Sequence, residues 1–286
     1  MDTSENHTQL NQLQQFREEL YQLLPARADA LFDLLDALCG SPQARSVVEL
    51  SLSPLFRREY SSVHDAIDSF FQAGVPEEAG EQRRVWEQQL ARLIGRYLPR
   101  PQQRRFWLWG TDTVSVSRPF AQTLEDRSFV HQPNPVRGQA PVTIGHHYSV
   151  VACLPEKNPG DDPPWVLPVQ VRRVPSDQKP TTVGAEQLKA VLEEERQPFH
   201  RAFCVHVADS SYSSVDYLGA VGVQPNLVNV VRVAANRVFY RSPPEPGEDG
   251  GPGHPVWYGT RFDLKDATTW GEPEATAETM WATKPG

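Results

Sequence analysis

Two stretches of the chain share one unusual pattern, and together they restrict the fold more than any other feature. Residues 106 to 118 form the best strand candidate in the sequence, with Phe106, Leu108, Asp112, Val114 and Val116 on one parity of the side-chain alternation. Phe203 to Asp209 repeats the arrangement: Phe203, Val205 and Val207 share parity with Asp209. A carboxylate on the apolar side of a strand is costly unless it has a partner. Two such aspartates point to one shared cation. Trp107 and Trp109 lie on the opposite parity and are expected to pack against a helix.

The rest of the chain supplies the layers around these strands. Over residues 8 to 39, Leu10, Leu13, Phe16, Leu20, Leu23, Leu24, Leu31, Leu34, Leu35 and Leu38 recur at three- and four-residue steps, the spacing of a long amphipathic helix or a helix pair broken at Pro25. Further helices are expected over 43–53, from a serine cap at Ser61 onward, and over 78–98, where Val85, Trp86, Leu90, Leu93, Ile94 and Tyr97 share a face. Residues 1–98 therefore read as an all-helical N-terminal domain, and 99–105 as a linker with a basic end. Strands are expected over 143–154, 165–174 and 227–240, the last as one strand or a bent pair, with helices over 184–196 and 213–221. The order is strand, strand, strand, helix, strand, helix, strand. Three consecutive strands can meander antiparallel, and a helical crossover then returns the Asp209 strand parallel to the Asp112 strand. The result is an α/β layer fold with two carboxylates on adjacent strands, suited to a hard divalent ion such as Mg²⁺.

Composition excludes several alternatives. Three cysteines, Cys39, Cys153 and Cys204, are widely spaced and fit neither a disulfide framework nor a zinc site, so a reducing cytoplasm is the expected compartment. The polar, acidic start of the chain is not a signal peptide, and no apolar run approaches the ~20 residues that span a bilayer, so no membrane partner is expected. The formal net charge of −8 gives no overall basic signature for nucleic-acid binding. Basic residues are instead local. Residues 117–141 have no clean period and interleave Arg118, Arg127, His131 and Arg137 with Phe120 and Phe129, as a functional loop would. Arg232, Arg237 and Arg241 give the last strand a basic character, and arginine forks suit phosphate oxygens. A solvated strand face or loop salt bridges would use the same residues. His146 opens a strand beside the polar loop, where it is either an edge residue or a group near DNA or metal. His206 reads as a satisfied core histidine.

Five blocks of the chain resemble bacterial DDE transposases, in particular the insertion-sequence group with a helical N-terminal domain and an RNase H-like core: Trp109-Gly110-Thr111-Asp112-Thr113, Arg118 to Arg127, His131 to Val136, Ile144 to Ser149, and Ala208 to Tyr212. The resemblance implies an RNase H-like mixed sheet with flanking helices over 99–241, preceded by the helical domain 1–98 and followed by the start of a loop-rich insertion domain over 242–286. It implies two Mg²⁺ or Mn²⁺ ions held by acidic residues, with Asp112 bridging both and Asp209 holding one. It also implies element-end and target DNA as partners, for which Arg118, Arg127, Arg137, His146, Arg232 and Arg237 are the candidate contacts on their own chemistry. A second copy of the chain is a further candidate partner, and the bacterial cytoplasm and nucleoid the expected location. The family's third acid is a glutamate on a helix beyond the insertion. Only Glu272, Glu274 and Glu278 follow residue 248, next to Pro273, and none suits that role. The expectation is a chain that stops inside the insertion domain, with strand cleavage impaired. Two other readings stand beside it: a non-catalytic DNA-end-binding or regulatory remnant, and a structure-selective nuclease on the same core.

Overall fold

The computed structural model describes residues 3–24, 26–72, 76–121, 123–132, 141–156, 165–243, 257–273 and 275–276. They fall into two compact units, Met1–Ala208 with Ser214–Val230, and Asp209–Ser213 with Val231–Gly286.

The first unit begins with five helices: α1 (Thr3–Leu23), α2 (Ala28–Gly40), α3 (Val47–Ser51), α4 (Tyr60–Gln72) and α5 (Pro76–Arg96). The break expected at Pro25 falls between α1 and α2; Pro25 itself lies outside the described residues, and Arg27 beyond it takes a left-handed φ of 48°. One apolar cluster joins Leu34, Ala37, Leu50, Phe56 and Val63, and a second joins Ala30, Leu31 and Ala66. Leu10, Leu13, Leu38 and Val85 continue the sequence periodicity but are exposed. The apolar stripe is thus longer than the packed surface. Asp33, buried on α2, is held by Arg57 at 2.7 Å and Arg58 at 3.2 Å, as a buried carboxylate requires. The start expected at Ser61 is one residue late, because α4 already includes Tyr60.

These helices belong to the same compact unit as the sheet. Trp86 on α5 donates to the Leu23 carbonyl at 2.8 Å. Arg92, also on α5, pairs with Glu194 at 2.5 Å. The Glu156 carboxylate accepts backbone N–H groups of the linker, from Arg104, Gln102 and Gln103, which hold it below its usual titration range.

The sheet has six strands: β1 (Trp107–Ser117), β2 (Ser128–His131), β3 (Val142–Cys153), β4 (Leu167–Val174), β5 (Cys204–Ala208) and β6 (Leu227–Val231), with α6 (Pro180–Glu193) and α7 (Val215–Val221) between the later strands. The order is β2-β3-β1-β5-β6, and β4 also pairs with β3. β1, β3 and β4 are antiparallel neighbours, and β5 returns parallel to β1 after α6. This is the expected meander and crossover. The result is a mixed sheet with helices against it, the α/β layer architecture expected. β2 was not foreseen: four residues inside a polar, proline-rich stretch are too few to display a period. It shares one edge of β3 with β4.

Alternation on β1 runs opposite to the sequence expectation. The buried parity is Trp107, Trp109 and Thr111, and Asp112 and Val114 are exposed. On β5, likewise, Cys204 and His206 are buried and Phe203, just before the strand, is exposed. The tryptophans decide this. Trp107 and Trp109 close edge-to-face on the buried ring of Phe199 at 5.5 and 4.7 Å, and two indoles outweigh the smaller apolar groups of the other parity. α6 supplies Leu188, Val191 and Leu192 to the core.

Gly145 sits where three strands meet, opposite Ser117 of β1 and Ser128 of β2. A β-carbon there would collide with the Val116 carbonyl oxygen and lie 2.9 Å from Val130 Cγ2. Gly145→Ala is expected to lower stability by about 1–3 kcal/mol, as overpacking does, measured by urea unfolding; an unchanged midpoint would show that the strands can part.

The second unit contains the antiparallel pair β7 (Val238–Tyr240) and β8 (Arg261–Asp263). Trp270 stacks on Phe262 at 6.2 Å and donates to the Asp263 carbonyl at 2.7 Å. The stretch 227–240 is therefore neither one strand nor a bent pair: β6 joins the main sheet and β7 a separate one. The sequence also suggests a little strand over 254–270, Val256-Trp257-Tyr258 included; β8 supplies it at Arg261–Asp263, while Trp257 and Tyr258 are not in a strand and Val256 lies outside the described residues. Among the described residues no helix is long and apolar enough to cross a membrane.

Candidate functional site

Asp112 lies in the middle of β1, opposite Val150 of β3, with its side chain exposed. Its Oδ1 accepts the Thr113 backbone N–H at 2.7 Å. The cost of burying a lone carboxylate, the first reason for pairing this residue with a cation, does not arise, because water already solvates it. Exposure instead leaves a hard oxygen donor reachable from solvent.

Asp209 follows Ala208, the last residue of β5. It caps the short 3-10 turn Ser210–Tyr212, its Oδ1 accepting the Ser211 N–H at 2.9 Å and the Ser211 hydroxyl. The capping role was one of the two readings of this residue. Gly110 of β1 pairs with Val207 of β5; Asp112 lies two residues beyond the first and Asp209 two beyond the second. An exposed carboxylate is an oxygen donor of the kind that suits Mg²⁺ or Mn²⁺, and Mg²⁺ typically takes one or two carboxylates and keeps its waters. Among the described residues no group of three or more His, Cys, Asp or Glu side chains gathers as a metal site. Glu272 is exposed and Glu274 and Glu278 lie outside the described residues.

His146 is buried on β3, and its Nε2 lies 3.1 Å from the Glu125 carbonyl. β3 runs inside the sheet rather than at an edge, so the edge reading fails; the imidazole staples the loop that follows β1. A second staple lies beside it. Asp126, at a left-handed φ of 48°, accepts from the Ser176 N–H at 2.8 Å and from Arg173 at 2.9 Å; hydrogen bonding by Ser176 first, and the Arg173 charge after it, hold its carboxyl below the usual range. Arg118 and Arg127 lie at the two ends of the stapled loop, both exposed, with the Arg118 N–H donating to the Ile144 carbonyl at 2.8 Å. Arg137 lies outside the described residues.

Arg232 and Arg237 were expected on a strand. They are exposed on the connection between β6 and β7 instead, and Arg237 reaches the Ser213 hydroxyl at 3.4 Å. Cys39, Cys153 and Cys204 are free thiols; burial pushes Cys153 up to about 12 and Cys204 up to about 11, which leaves both inert at neutral pH.

His206 is the satisfied core histidine expected of it. The ring is fully buried, 2.9 Å from Thr111 Oγ1 and 3.0 Å from Asn229 Oδ1, with the Tyr217 hydroxyl at 3.4 Å. Burial lowers its pKa to about 4, so it is neutral near pH 7. Asn229 Oδ1 can only accept, so the ring proton sits on Nδ1 and Nε2 accepts from the Thr111 hydroxyl. Thr111, Asn229 and Tyr217 were missed as partners. The available signal was parity, which puts Thr111 on the same side of β1 as the two tryptophans.

No curated protein matches the chain. The family model described as DDE superfamily endonuclease matches residues 19–285, nearly the whole length, including both aspartates and every strand of the sheet. The family supports a transposase- or nuclease-like function and implies a DNA substrate, and enzymes of the superfamily typically use divalent metals. The chain belongs to the DDE superfamily endonucleases.

Proposed function

We propose that this chain is a transposase polypeptide of the bacterial insertion-sequence kind, which cleaves and joins DNA at element ends with Mg²⁺ or Mn²⁺ held by Asp112 and Asp209. The observation that carries the reading is a pair of solvent-exposed carboxylates, Asp112 in the middle of β1 and Asp209 directly after β5. When bound, the divalent ions supply activation of water or a DNA 3′-hydroxyl and stabilise the leaving oxygen of an in-line displacement. The chain's own groups bind and orient. Thr113 N–H fixes the rotamer of Asp112, and the cap at Ser211 fixes that of Asp209. Arg118 and Arg127, at the ends of the loop stapled by His146 and Asp126, take phosphate oxygens, while Arg232 and Arg237 extend the contact in the second unit. Such contacts set the position of a duplex rather than its sequence specificity. In this reading residues 1–98 form the helical part, 99–241 the catalytic core and 242–286 an insertion.

The second reading, a non-catalytic DNA-end binder, is favoured by one observation: no third acid joins a metal cluster among the described residues. Duplex DNA from the ends flanking the coding sequence separates the two, in gel shift with EDTA and in a nicking assay with Mg²⁺ or Mn²⁺. End-specific nicking is the expected result. Binding without cleavage, even in Mn²⁺, selects the second reading. Cleavage without end preference selects a structure-selective nuclease, and neither binding nor cleavage rejects all three.

A further inference from the structure

We infer that the loop between β1 and β2 is a site for unpaired nucleotides: Phe120 and Phe129 stack on exposed DNA bases while Arg118 and Arg127 hold the phosphates beside them. This rests on the reading of those two arginines as phosphate contacts. It adds the state of the DNA, since only a base outside the duplex stack offers a free face.

Phe120 is 93% exposed and Phe129 80%, the highest values of any Phe, Tyr or Trp among the described residues. Both rings forgo the gain of burial. The backbone around each is nevertheless fixed. The Ala121 N–H donates to the Arg118 carbonyl at 3.1 Å, closing a turn with Pro119 in second place and Phe120 in third; the proline ring fixes its own φ there. Phe129 lies in β2, paired with Ile144, and His147 Nε2 is 3.1 Å from its carbonyl. Between the two rings, His146 and Asp126 staple the segment. Side chains set in place beforehand lose little entropy when a ligand arrives. Charge favours a polyanion as that ligand. Arg118, Arg127 and Arg173 outnumber Glu125 and Asp126 around the loop, and Asp126 is already paired with Arg173. The Arg118 N–H donates to the Ile144 carbonyl while Phe129 pairs with Ile144 from the other side, so arginine and ring stand two strand spacings apart, about 10 Å. The register of β1 with β3 runs unbroken from Trp109 to Ser117, and alternation then puts Phe129 on the face of the sheet that carries Asp112. Asp112 pairs with Val150 and Phe129 with Ile144, six residues away on β3, which is about 20 Å. The rings therefore meet nucleotides flanking the one at Asp112.

The experiment measures the affinity of the full chain, in EDTA, for a blunt duplex and for the same duplex carrying a short single-stranded thymidine tail, with sedimentation recorded in parallel. The tailed DNA is expected to bind about tenfold more tightly, within the range of one stacked base. Phe120→Ala and Phe129→Ala change exposed side chains and should cost the fold little. Each should reduce the preference, and the double variant should bring the ratio of affinities to about one. Phe120→Trp keeps a stacking face and should keep the preference; Phe120→Leu keeps apolar bulk without that face and should behave as Phe120→Ala. Arg118→Ala is expected to weaken both DNAs and to lower the salt slope by about one. Equal binding of the two DNAs by the wild type overturns the inference and leaves the phosphate contacts standing, whereas failure to bind either overturns both. A preference for the tail that survives in the double variant overturns the inference as well, and if that variant also dissociates an oligomer, the rings belong to a protein contact.

Discussion

Asp112→Asn is expected to abolish Mg²⁺-dependent nicking of element-end DNA and to remove Mn²⁺ binding, with the melting temperature unchanged to within about 1 °C. The two halves of that expectation have different physical sources. A metal ion polarising a phosphoryl oxygen is worth several kcal/mol of transition-state stabilisation, which converts to about 10³-fold or more in rate. The amide of Asn keeps the shape of the side chain and can still accept the Thr113 N–H through Oδ1, but it loses the charge that holds the cation. Stability should not move, because Asp112 is exposed on β1 and its hydrogen bond is to its own neighbour. Exposed substitutions of this kind usually change stability by less than about 0.5 kcal/mol. Asp216, which lies exposed in the first turn of α7, provides the control: Asp216→Asn should leave nicking and Mn²⁺ binding as they are. Nicking that survives Asp112→Asn would mean that the metal-dependent chemistry is carried elsewhere.

Much of this architecture is legible in the residues, because periodicity is strong where elements are long. The eleven residues of β1 and twelve of β3, and the leucine spacing of α2, identify themselves. β2 does not, since four residues give no period and the surrounding prolines suggest a loop. The face of β1 was legible in principle and misread. Counting apolar residues favours the parity of Leu108, Val114 and Val116, but burial follows area, and Trp107 with Trp109 removes more surface from water than that set. Asp112 was therefore placed on the correct strand for an incorrect reason: an exposed carboxylate needs no partner to satisfy its solvation. The splitting of 227–240 between two sheets was not legible either. Leu227 to Tyr240 is mostly apolar, with polar residues only at Asn229, Arg232, Asn236 and Arg237, and only the long-range pairing of β7 with β8 shows that Arg232 to Arg237 is a connection. His206 is the opposite case. Its parity alone marks it as a core residue, whereas its partners Asn229 and Tyr217 come from elements distant in sequence and become visible only in the folded chain.

The same histidine should dominate the acid side of the stability curve. Its folded pKa is about 4, against an ordinary value of 6.5, because burial disfavours the charged ring. The unfolded chain therefore binds more protons than the folded one between these two values, and stability must fall as pH is lowered through that window. The contribution is complete above about pH 6.5 and exhausted near pH 4, and the loss across the window is roughly 3 kcal/mol at 1.36 kcal/mol per unit. About 2 kcal/mol of it should be gone by pH 5. Carboxylates act later. Asp36, Asp126, Glu156 and Asp266 are all held below their ordinary values by hydrogen bonds, from Arg17 for Asp36, from Ser176 for Asp126, from the linker backbone for Glu156 and from Thr268 for Asp266. Their stabilisation is present above the unfolded carboxylate pKa and is lost only as pH falls below it, toward their depressed folded values. Between pH 7 and 5 these four carboxylates thus keep their contribution while that of the imidazole is being lost. Urea unfolding of the wild type and of His206→Gln at pH 7, 6 and 5 isolates it, because the carboxylate contribution is common to both proteins and cancels in the difference. The wild type should lose about 2 kcal/mol over that range and the variant very little. Parallel curves would mean that water reaches the ring, and that the bonds from Thr111 and to Asn229 do not hold it in a dry site.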